Sequence, residues 1–340
     1  MTKEKSFYVG ISATAHYLPG LVKSSADIEN QINLNLKPKV KNGSIERLTG
    51  IIKRHVSTPT EYNSTLAIEA CKILFEKEGV NPKEIDLLIF ASAGKDLLEP
   101  ATSHIVQAEI GTNCPVLDVS NACNSFINAI EIAVSFVELG KYKSVLIATG
   151  EVPSKTARYD LESRHLLRQY LPGFTFGDAG TAVIVDKKAK IASIVDSFFF
   201  SESDNWDAAM FPGGGSRFVD KLNAHFFLGD PNKLMVPFFT HTKRILTEFL
   251  KNNGMEVCDI DHFFVHQVAE VYLDKMSKNL KIPMSKIEVT IKEYGNMASA
   301  SMPLAFDLCL KSKHPTPGSK GIFIGLAGGI SIGLVLINFN

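Results

Sequence analysis

Cysteine is scarce in this 340-residue chain: there are five, Cys71, Cys114, Cys123, Cys258 and Cys309, with no CxxC pair among them. An odd, dispersed set excludes a disulfide framework or a cysteine-built zinc site and fits a reducing compartment. Net charge is absent too, since 36 basic residues balance 36 acidic ones. That balance argues against a general nucleic-acid or membrane-surface binder. No stretch reaches the roughly 20 uncharged apolar residues of a membrane span. The opening MTKEKSFYVGISATAHYLPG lacks the apolar core of a signal peptide. A cytoplasmic protein with no membrane span and no nucleic-acid partner is the expectation. The nine histidines include no HExxH pattern, so no metal is expected. "FPGGGSR" (211–217) lacks the GxxxxGK[ST] spacing of a phosphate loop, and "GLAGGISIG" (325–333) is followed by no crossover, which excludes a dinucleotide fingerprint.

What is present is an alternation of short apolar runs with helix-like segments. "IDLLIFASA" (85–93) and "KSVLIATG" (143–150) read as strands, and "STLAIEACKILFEKEG" (64–79) as a helix with Ser64 as its N-cap and Gly79 as its stop. Such alternation predicts an α/β fold with parallel strands and crossover helices. An internal repeat adds to this. "EIDLLIFASA" (84–93) resembles "DIDHFFVHQVA" (259–269); the helices opening at "NACNSFINAIEIA" and "GNMASASMPLAFDL" resemble each other; so do the strands "KSVLIATGE" and "KGIFIGLAGG". Asp86 to Ser144 is 58 positions and Asp261 to Lys320 is 59. Two copies of a βαβ-containing unit are expected, residues 1–187 and 188–340, with strand ends meeting near a pseudo-two-fold axis. Residues 153–176 and 202–232 read as insertions over one face, where a substrate pocket is expected.

The chemistry centres on "LDVSNACNSF". A strand-to-helix turn sets Cys123 near a helix N-terminus, where unpaired N–H groups and the helix dipole favour an anion. A thiol there has a lowered pKa and acts as a nucleophile; the plainer alternative is a small buried hydrophobe. His266, in "FFVHQVAE", follows three apolar residues and falls at a strand's carboxyl end, where open α/β sheets place ligands. Asn296, in "EYGNMASASMPLAF", opens the second repeat's helix, where it is a cap, a hydrogen-bond donor, or both. If the halves are duplicates, the three residues converge. Cysteine, histidine and asparagine together suit acyl-thioester chemistry: the thiol takes an acyl group, and two N–H donors stabilise an enolate oxygen.

Taken in order, "YLPG", "IERLTGIIKRHVS", "DVSNACNSF", "FGDAGTAVIV", "FFVHQVA", "YGNMASASMPL" and "GLAGGISIG" resemble the motifs of thiolase-fold condensing enzymes of the β-ketoacyl-ACP synthase III type. The resemblance implies a five-layered αβαβα arrangement, a homodimer, acylation of Cys123, and an oxyanion site made by His266 and Asn296. It also implies a first oxyanion hole from the backbone N–H groups of Cys123 and Gly328, with acyl-CoA or acyl carrier protein (ACP) as the thioester substrate and no permanently bound cofactor. Two departures bear on the substrate. The tryptophan usual before the "RTGI" segment is missing from "GSIERLTGI", and the basic residue usual after "HQAN" is replaced by Glu270. "GKDLLEPATSHIVQAEIG" (94–111), "SNACNSFIN" and "ATGE" resemble instead the enzymes that join two acyl chains: the head-to-head acyl-CoA condensing enzyme of olefin synthesis and the pyrone- and dialkylresorcinol-forming ketosynthases. In that group the glutamate matching Glu99 reaches the partner's site as a base. The expected activity is therefore Claisen condensation of an acyl group on Cys123 with a second thioester to give a β-keto product. The alternatives are decarboxylative initiation with malonyl-ACP, acyl transfer to a hydroxyl or amine, and a non-catalytic partner of a heterodimer.

Overall fold

The computed structural model describes residues 8–219 and 221–340. The first seven residues of the MTKEKSFYVGISATAHYLPG opening, and Asp220 of the second insertion, lie outside the described residues. The apolar runs become nine strands: β1 (Gly10–Tyr17), β2 (Leu87–Ala91), β3 (Val116–Val119), β4 (Ser144–Glu151), β5 (Ala179–Asp186), β6 (Ala192–Ser201), β7 (His262–Val265), β8 (Lys320–Ala327) and β9 (Ser331–Phe339). They lie in the order β7-β8-β9-β6-β1-β5-β4-β2-β3. Only two residue pairs, Gly10 with Ser193 and Ile11 with Ala192, join β1 to β6, so the sheet is two sub-sheets meeting at a short seam.

The sub-sheets repeat one pattern. In the first, β2 runs parallel to β4, β4 antiparallel to β5, and β5 antiparallel to β1. In the second, β7 runs parallel to β8, β8 antiparallel to β9, and β9 antiparallel to β6. Edge strand β3 pairs parallel with β2; its counterpart shrinks to one parallel bridge between Phe263 and Ile287. The matched aspartates do matched work. The Asp86 N–H donates to the Ser144 carbonyl (2.9 Å), and its Oδ2 accepts the N–H groups of Lys143 (2.8 Å) and Ser144 (3.1 Å). The Asp261 N–H donates to the Lys320 carbonyl (2.9 Å), and its Oδ2 accepts the Lys320 N–H (2.9 Å). Each carboxylate pins the start of the strand parallel to its own.

Strands buried on both faces alternate their partners with period two. Leu88 and Phe90 of β2 face outward onto Ala70, Cys71 and Leu74 of α1 (Asn63–Glu78), beside which runs α2 (Thr102–Ile110). Leu87 and Ile89 face inward onto Phe126 and Ile130 of α3 (Ser125–Glu138). From the other side, Phe264, Phe323 and Val335 meet the same layer. Phe263, Val265 and Ile324 turn away, to α4 (Pro231–Asn252) and α5 (Glu270–Leu280). With α6 (Ser301–Ser312) beside α3 in the middle, the layers read α, β, α, β, α. Helix α1 begins one residue before the expected start, so Ser64 is not its cap; the Ser64 N–H instead donates to Asp96 (3.2 Å). Gly79 does end α1, at φ +62°.

The two insertions are not loose. Tyr170 and Phe174 of the first and Phe226 and Leu228 of the second share an apolar cluster with Ile28, Ile32 and Ile45. Phe176 and Phe227 meet edge to face at 5.1 Å. Among the described residues, no helix is long and apolar enough to cross a membrane.

If the middle layer is the shared core, Phe323 should matter most, since its ring touches Phe126, Phe264 and Phe306 at 5.0–5.9 Å between centroids. Phe323→Ala should cost about 3–5 kcal/mol of unfolding free energy, measured by denaturant titration, while Val22→Ala on the short exposed strand Leu21–Ser24 should cost little.

Candidate active site

Between β3 and α3 the backbone makes one tight turn. Ala122 takes a left-handed φ of +46°, and the Ser125 hydroxyl closes the loop, accepting the Asn121 N–H (2.9 Å) and donating to the Ala122 carbonyl (2.7 Å). Cys123 stands two residues before the helix. The same device recurs before α6: Ala298 has φ +46°, and the Ser301 hydroxyl accepts the Met297 N–H (3.2 Å). Each pair is 176 positions apart, which makes Ser299 the counterpart of Cys123. The two loops are equivalent, as the repeat requires, but Asn296 sits three residues ahead of the matched position rather than on it.

His266 directly follows β7. Its N–H donates to the Ile324 carbonyl of β8 (2.9 Å), and its side chain is only 4 % exposed. Neither ring nitrogen is satisfied by a hydrogen bond among the described residues. Burial pushes its pKa down to about 4, with the nearby Ala298 backbone opposing the shift, so the ring is neutral at pH 7. Gln267, the next residue, clamps a distant stretch of chain: its Nε2 donates to the Glu288 carbonyl (2.6 Å), and its Oε1 accepts the N–H groups of Thr290 and Ile291 (both 3.0 Å). That stretch runs on to Gly295, at φ +71°, where a β-carbon would meet the Thr175 carbonyl at 2.7 Å. Asn296 is then fixed by its backbone: its N–H donates to Thr175 (2.7 Å) and its carbonyl accepts from Gly177 (3.0 Å). Its Oδ1 accepts the Ala298 N–H (3.0 Å), which leaves the amide N–H groups available.

One strand gathers these pieces. Asn124, next to Cys123, lies against Gly325 of β8, where any β-carbon would collide with it, and donates to the Ser331 carbonyl (3.0 Å). Ile324, the neighbouring residue of β8, holds His266. Ala298 links His266 to Asn296. The structure thus brings the Cys123 loop, His266 and Asn296 to one end of β8.

A fourth group in this place escaped the sequence reading. Glu151 ends β4 and is buried; its Oε1 accepts the N–H groups of Ala93 (2.6 Å) and Ser299 (3.4 Å). Burial pushes its pKa up to about 7 against those hydrogen bonds. Burial, then the Glu151 charge, push the Cys123 thiol up to about 12, although its own backbone N–H pulls the other way. This runs against the lowered pKa expected from the helix start: the protein packed around the half-buried thiol opposes the dipole. The signal for Glu151 was present in "SVLIATGE", a carboxylate closing a run otherwise fit only for burial.

Glu99 is exposed, in the loop between β2 and α2, and its carboxylate pairs with nothing among the described residues. It does not join the buried group within one protomer. Two residues past Pro100, the chain is tied to the sheet's free edge, where Thr102 and Ser103 N–H groups donate to Asp118 of β3 (2.8 and 2.9 Å). Gly328 lies in the β8–β9 turn, facing the Ala209 carbonyl, in the same turn region whose Ser331 accepts from Asn121 and Asn124. A surface cleft of about 540 Å³ opens between the helix Ser44–Thr49 and α5, lined by Glu46, Arg47, Glu270, Asp274 and Lys292 and by none of Cys123, His266 and Asn296. Glu270 is paired there with Lys292 (2.5 Å). His262 and His266 are four apart, but on an extended strand their rings stand about 13 Å from each other along the chain. His262 instead groups with Glu288 and Cys309 in an arrangement that a metal ion would fit, where the Lys313 ammonium already meets Glu288 (2.8 Å).

Comparison with known proteins agrees with this architecture. The family model described as 3-oxoacyl-[acyl-carrier-protein] synthase III matches residues 117–203, and its C-terminal companion matches residues 250–339, together just over half of the chain. The β-ketoacyl-[acyl-carrier-protein] synthase III of Methylococcus capsulatus is 28% identical over 98% of this chain and 100% of its own length. That of Streptococcus pneumoniae is 28% identical over 97% and 99%. Among solved structures, Xanthomonas campestris OleA superposes with a TM-score of 0.88 at 20% identity, over 99% of this chain and 100% of that one. The same protein with bound lauric acid and lauroyl-CoA gives 0.87 at 20% identity, over 97% and 99%. The chain belongs to the 3-oxoacyl-ACP synthase III family of thiolase-fold condensing enzymes, and is an acyl-transferring enzyme of that family.

Proposed function

We propose that this enzyme joins two acyl thioesters by a ping-pong Claisen condensation at the Cys123–His266–Asn296 group. The observation that carries the reading is His266: a buried, neutral imidazole whose ring nitrogens make no hydrogen bond of full geometry, with the Ala298 backbone only near enough to oppose its shift, in a segment shared with an asparagine whose amide N–H groups are free. Buried donors without acceptors are costly and mark a place that a substrate oxygen completes. In the first half-reaction the Cys123 sulfur attacks a thioester carbonyl, the carrier's C–S bond breaks, and the carrier thiol leaves with a proton. Backbone N–H groups of Cys123 and Gly328 hold the oxyanion. In the second, the carbonyl oxygen of another thioester accepts from His266 and Asn296, and its α-carbon loses a proton. The resulting enolate attacks the acyl-cysteine, freeing the sulfur and leaving a β-keto thioester.

Loss of that proton needs a base, and Glu99 suits it from a second protomer. The free edge of β3 offers unpaired backbone groups for a symmetric partner, and the loop bearing Glu99 is anchored to that edge. The lauroyl-CoA carried by the OleA structure supports fatty acyl-CoA as the substrate class, with acyl-ACP as the other carrier. A second reading rests on the full-length match to β-ketoacyl-ACP synthase III, namely decarboxylative condensation with malonyl-ACP. Product formed from malonyl-ACP and one acyl-CoA, with none from acyl-CoA alone, would favour it.

Incubation with lauroyl-CoA should add one lauroyl mass to the intact protein and none to Cys123→Ala; an adduct of equal yield on the variant would remove the nucleophile. Glu99→Ala and Cys123→Ala should each abolish coupling of two acyl-CoAs. Their mixed dimers should regain about a quarter of the wild-type rate, because random pairing gives half heterodimers with one complete site each; no recovery would place the base elsewhere. Neutral His266 also has a stability signature. Its folded pKa of about 4 lies below the ordinary 6.5, so the unfolded chain binds the proton first, and stability falls as pH drops from about 6.5 towards 4. The melting-temperature difference between wild type and His266→Gln should shift against the wild type across that window and be constant above pH 7.5.

A further inference from the structure

At the start of β7, the end away from His266, three unlike side chains meet. His262 Nδ1 lies 3.2 Å from a carboxylate oxygen of Glu288 and 3.5 Å from the sulfur of Cys309, and one ligand atom from each residue falls within 4.8 Å of the others. A zinc ion held tetrahedrally by nitrogen, oxygen and sulfur at about 2.0–2.3 Å keeps those atoms about 3.3–3.6 Å apart. The two separations from His262 are already close to that spacing. Each ligand is also held by its own element. The His262 ring packs on Phe264 and Phe339, at 6.4 and 5.6 Å between centroids. Glu288 is pinned through its backbone, its N–H donating to the Phe263 carbonyl (3.0 Å) and its carbonyl accepting from Gln267 (2.6 Å). Cys309 is buried on α6, in the shared core. The three residues stand 26 and 21 positions apart, a spacing that no short ligand motif covers, so the chain's histidine pattern does not reveal them.

We propose that His262, Glu288 and Cys309 form a binding site for one zinc ion, which takes the place of the Lys313 ammonium. Lys313 is exposed, and its ammonium now reaches the same Glu288 oxygen that faces His262 (2.8 Å). When zinc enters, the S–H bond of Cys309 breaks and its proton passes to solvent. The His262 ring stays neutral with its proton on Nε2, and the ammonium swings out to water. A carboxylate with an ammonium is neutral overall. So is a doubly charged ion with a carboxylate and a thiolate, and the exchange therefore leaves no net charge buried. Water fills the fourth position. A thiolate and an imidazole beside one carboxylate suit zinc, whereas magnesium and calcium prefer oxygen alone. The joined elements carry His266 at the far end of β7 and Asn296 eight residues beyond Glu288. The ion is thus a brace for the half of the molecule that bears both, and takes no part in the reaction.

Metal-free full-length chain, untagged and carrying Cys123→Ala to remove the active-site thiol, is titrated with zinc chloride by isothermal calorimetry. One ion per chain should bind and raise the melting temperature. Cobalt(II) in its place should give thiolate-to-metal charge-transfer absorption. His262→Ala and Cys309→Ala, added singly, should each weaken zinc binding by about ten-fold or more, and the second should lose the cobalt absorption. Lys313→Ala should tighten zinc binding, because the competing ammonium is gone. A parent chain that takes up no zinc overturns the proposal even if the ligand variants fail to fold. So do folded His262→Ala and Cys309→Ala chains that bind zinc as tightly as the parent, and so does a Lys313→Ala chain that binds it no more tightly.

Discussion

The arrangement depends on one constraint: the middle helices α3 and α6 are packed between two sheets from their first turns, and only their C-terminal ends reach solvent. Phe126 of α3 and Phe306 of α6 both pack on Phe323 of β8, at 5.9 and 5.5 Å. A helix locked in this way has its start locked as well. The left-handed alanines Ala122 and Ala298, with the serines that close their loops, deliver both starts to the same end of the core. Positioning of Cys123 is thus a consequence of hydrophobic layering, while Asn296, three residues ahead of the matched position, is held besides by backbone hydrogen bonds to Thr175 and Gly177.

The electrostatics of the site follow from the same burial. Desolvation disfavours charge wherever it sits, and here it acts on three groups at once: it lowers His266, raises Glu151 and raises Cys123. The result at neutral pH is a site whose imidazole is a neutral donor and whose thiol keeps its proton. A neutral imidazole is the better partner for a developing enolate, since it can donate a hydrogen bond without first having to shed a proton or carry a buried charge. A protonated thiol, by contrast, is a handicap for nucleophilic attack, and it places the burden of activation on whatever accepts the proton. The low dielectric that prepares one half of the site thereby makes the other half dependent on its neighbours.

Much of this was legible in the sequence, for identifiable reasons. Doubly buried strands leave near-continuous apolar runs such as "LLIFA" and "HFFV", and a duplication leaves matched spacing, so the Asp86 and Asp261 landmarks pointed to contacts that the structure contains. The Cys123, His266 and Asn296 neighbourhoods followed from that repeat. The features beyond reach involved contacts between segments with no shared pattern. The seam of β1 with β6 rests on two residue pairs and has no sequence signature. The three-residue offset between Asn296 and the true counterpart of Cys123 depends on which alanine turns left-handed, Ala122 in one loop and Ala298 in the other, and the run of small residues around each does not mark it. The direction of the Cys123 shift depends on how deeply the turn is covered and on Glu151, 28 positions away in sequence. The insertions read as irregular because their apolar residues face each other and Ile28, Ile32 and Ile45, not a helix or strand of their own.

Two similar halves that differ at matched positions would suit the two substrates of the proposed reaction. Perfect repeats would place the same residue at both helix starts and give two identical half-sites competing for one cavity. Here one start carries Cys123, able to hold an acyl group covalently, while the matched position carries Ser299, whose N–H is given to Glu151 and whose hydroxyl donates to the Ala91 carbonyl (3.1 Å). Ser299 is thereby withdrawn from nucleophilic service. His266 and Asn296, from the same half, offer hydrogen bonds in place of a covalent bond. On the proposed reading, one half retains its substrate through a thioester and the other through polarisation of a carbonyl. Only the second arrangement leaves the α-carbon free to become the attacking centre. On that same proposal, chemical asymmetry between near-symmetric halves, set by a cysteine at one repeated turn and a serine at the other, would separate the acyl donor from the carbanion and fix the direction of bond formation.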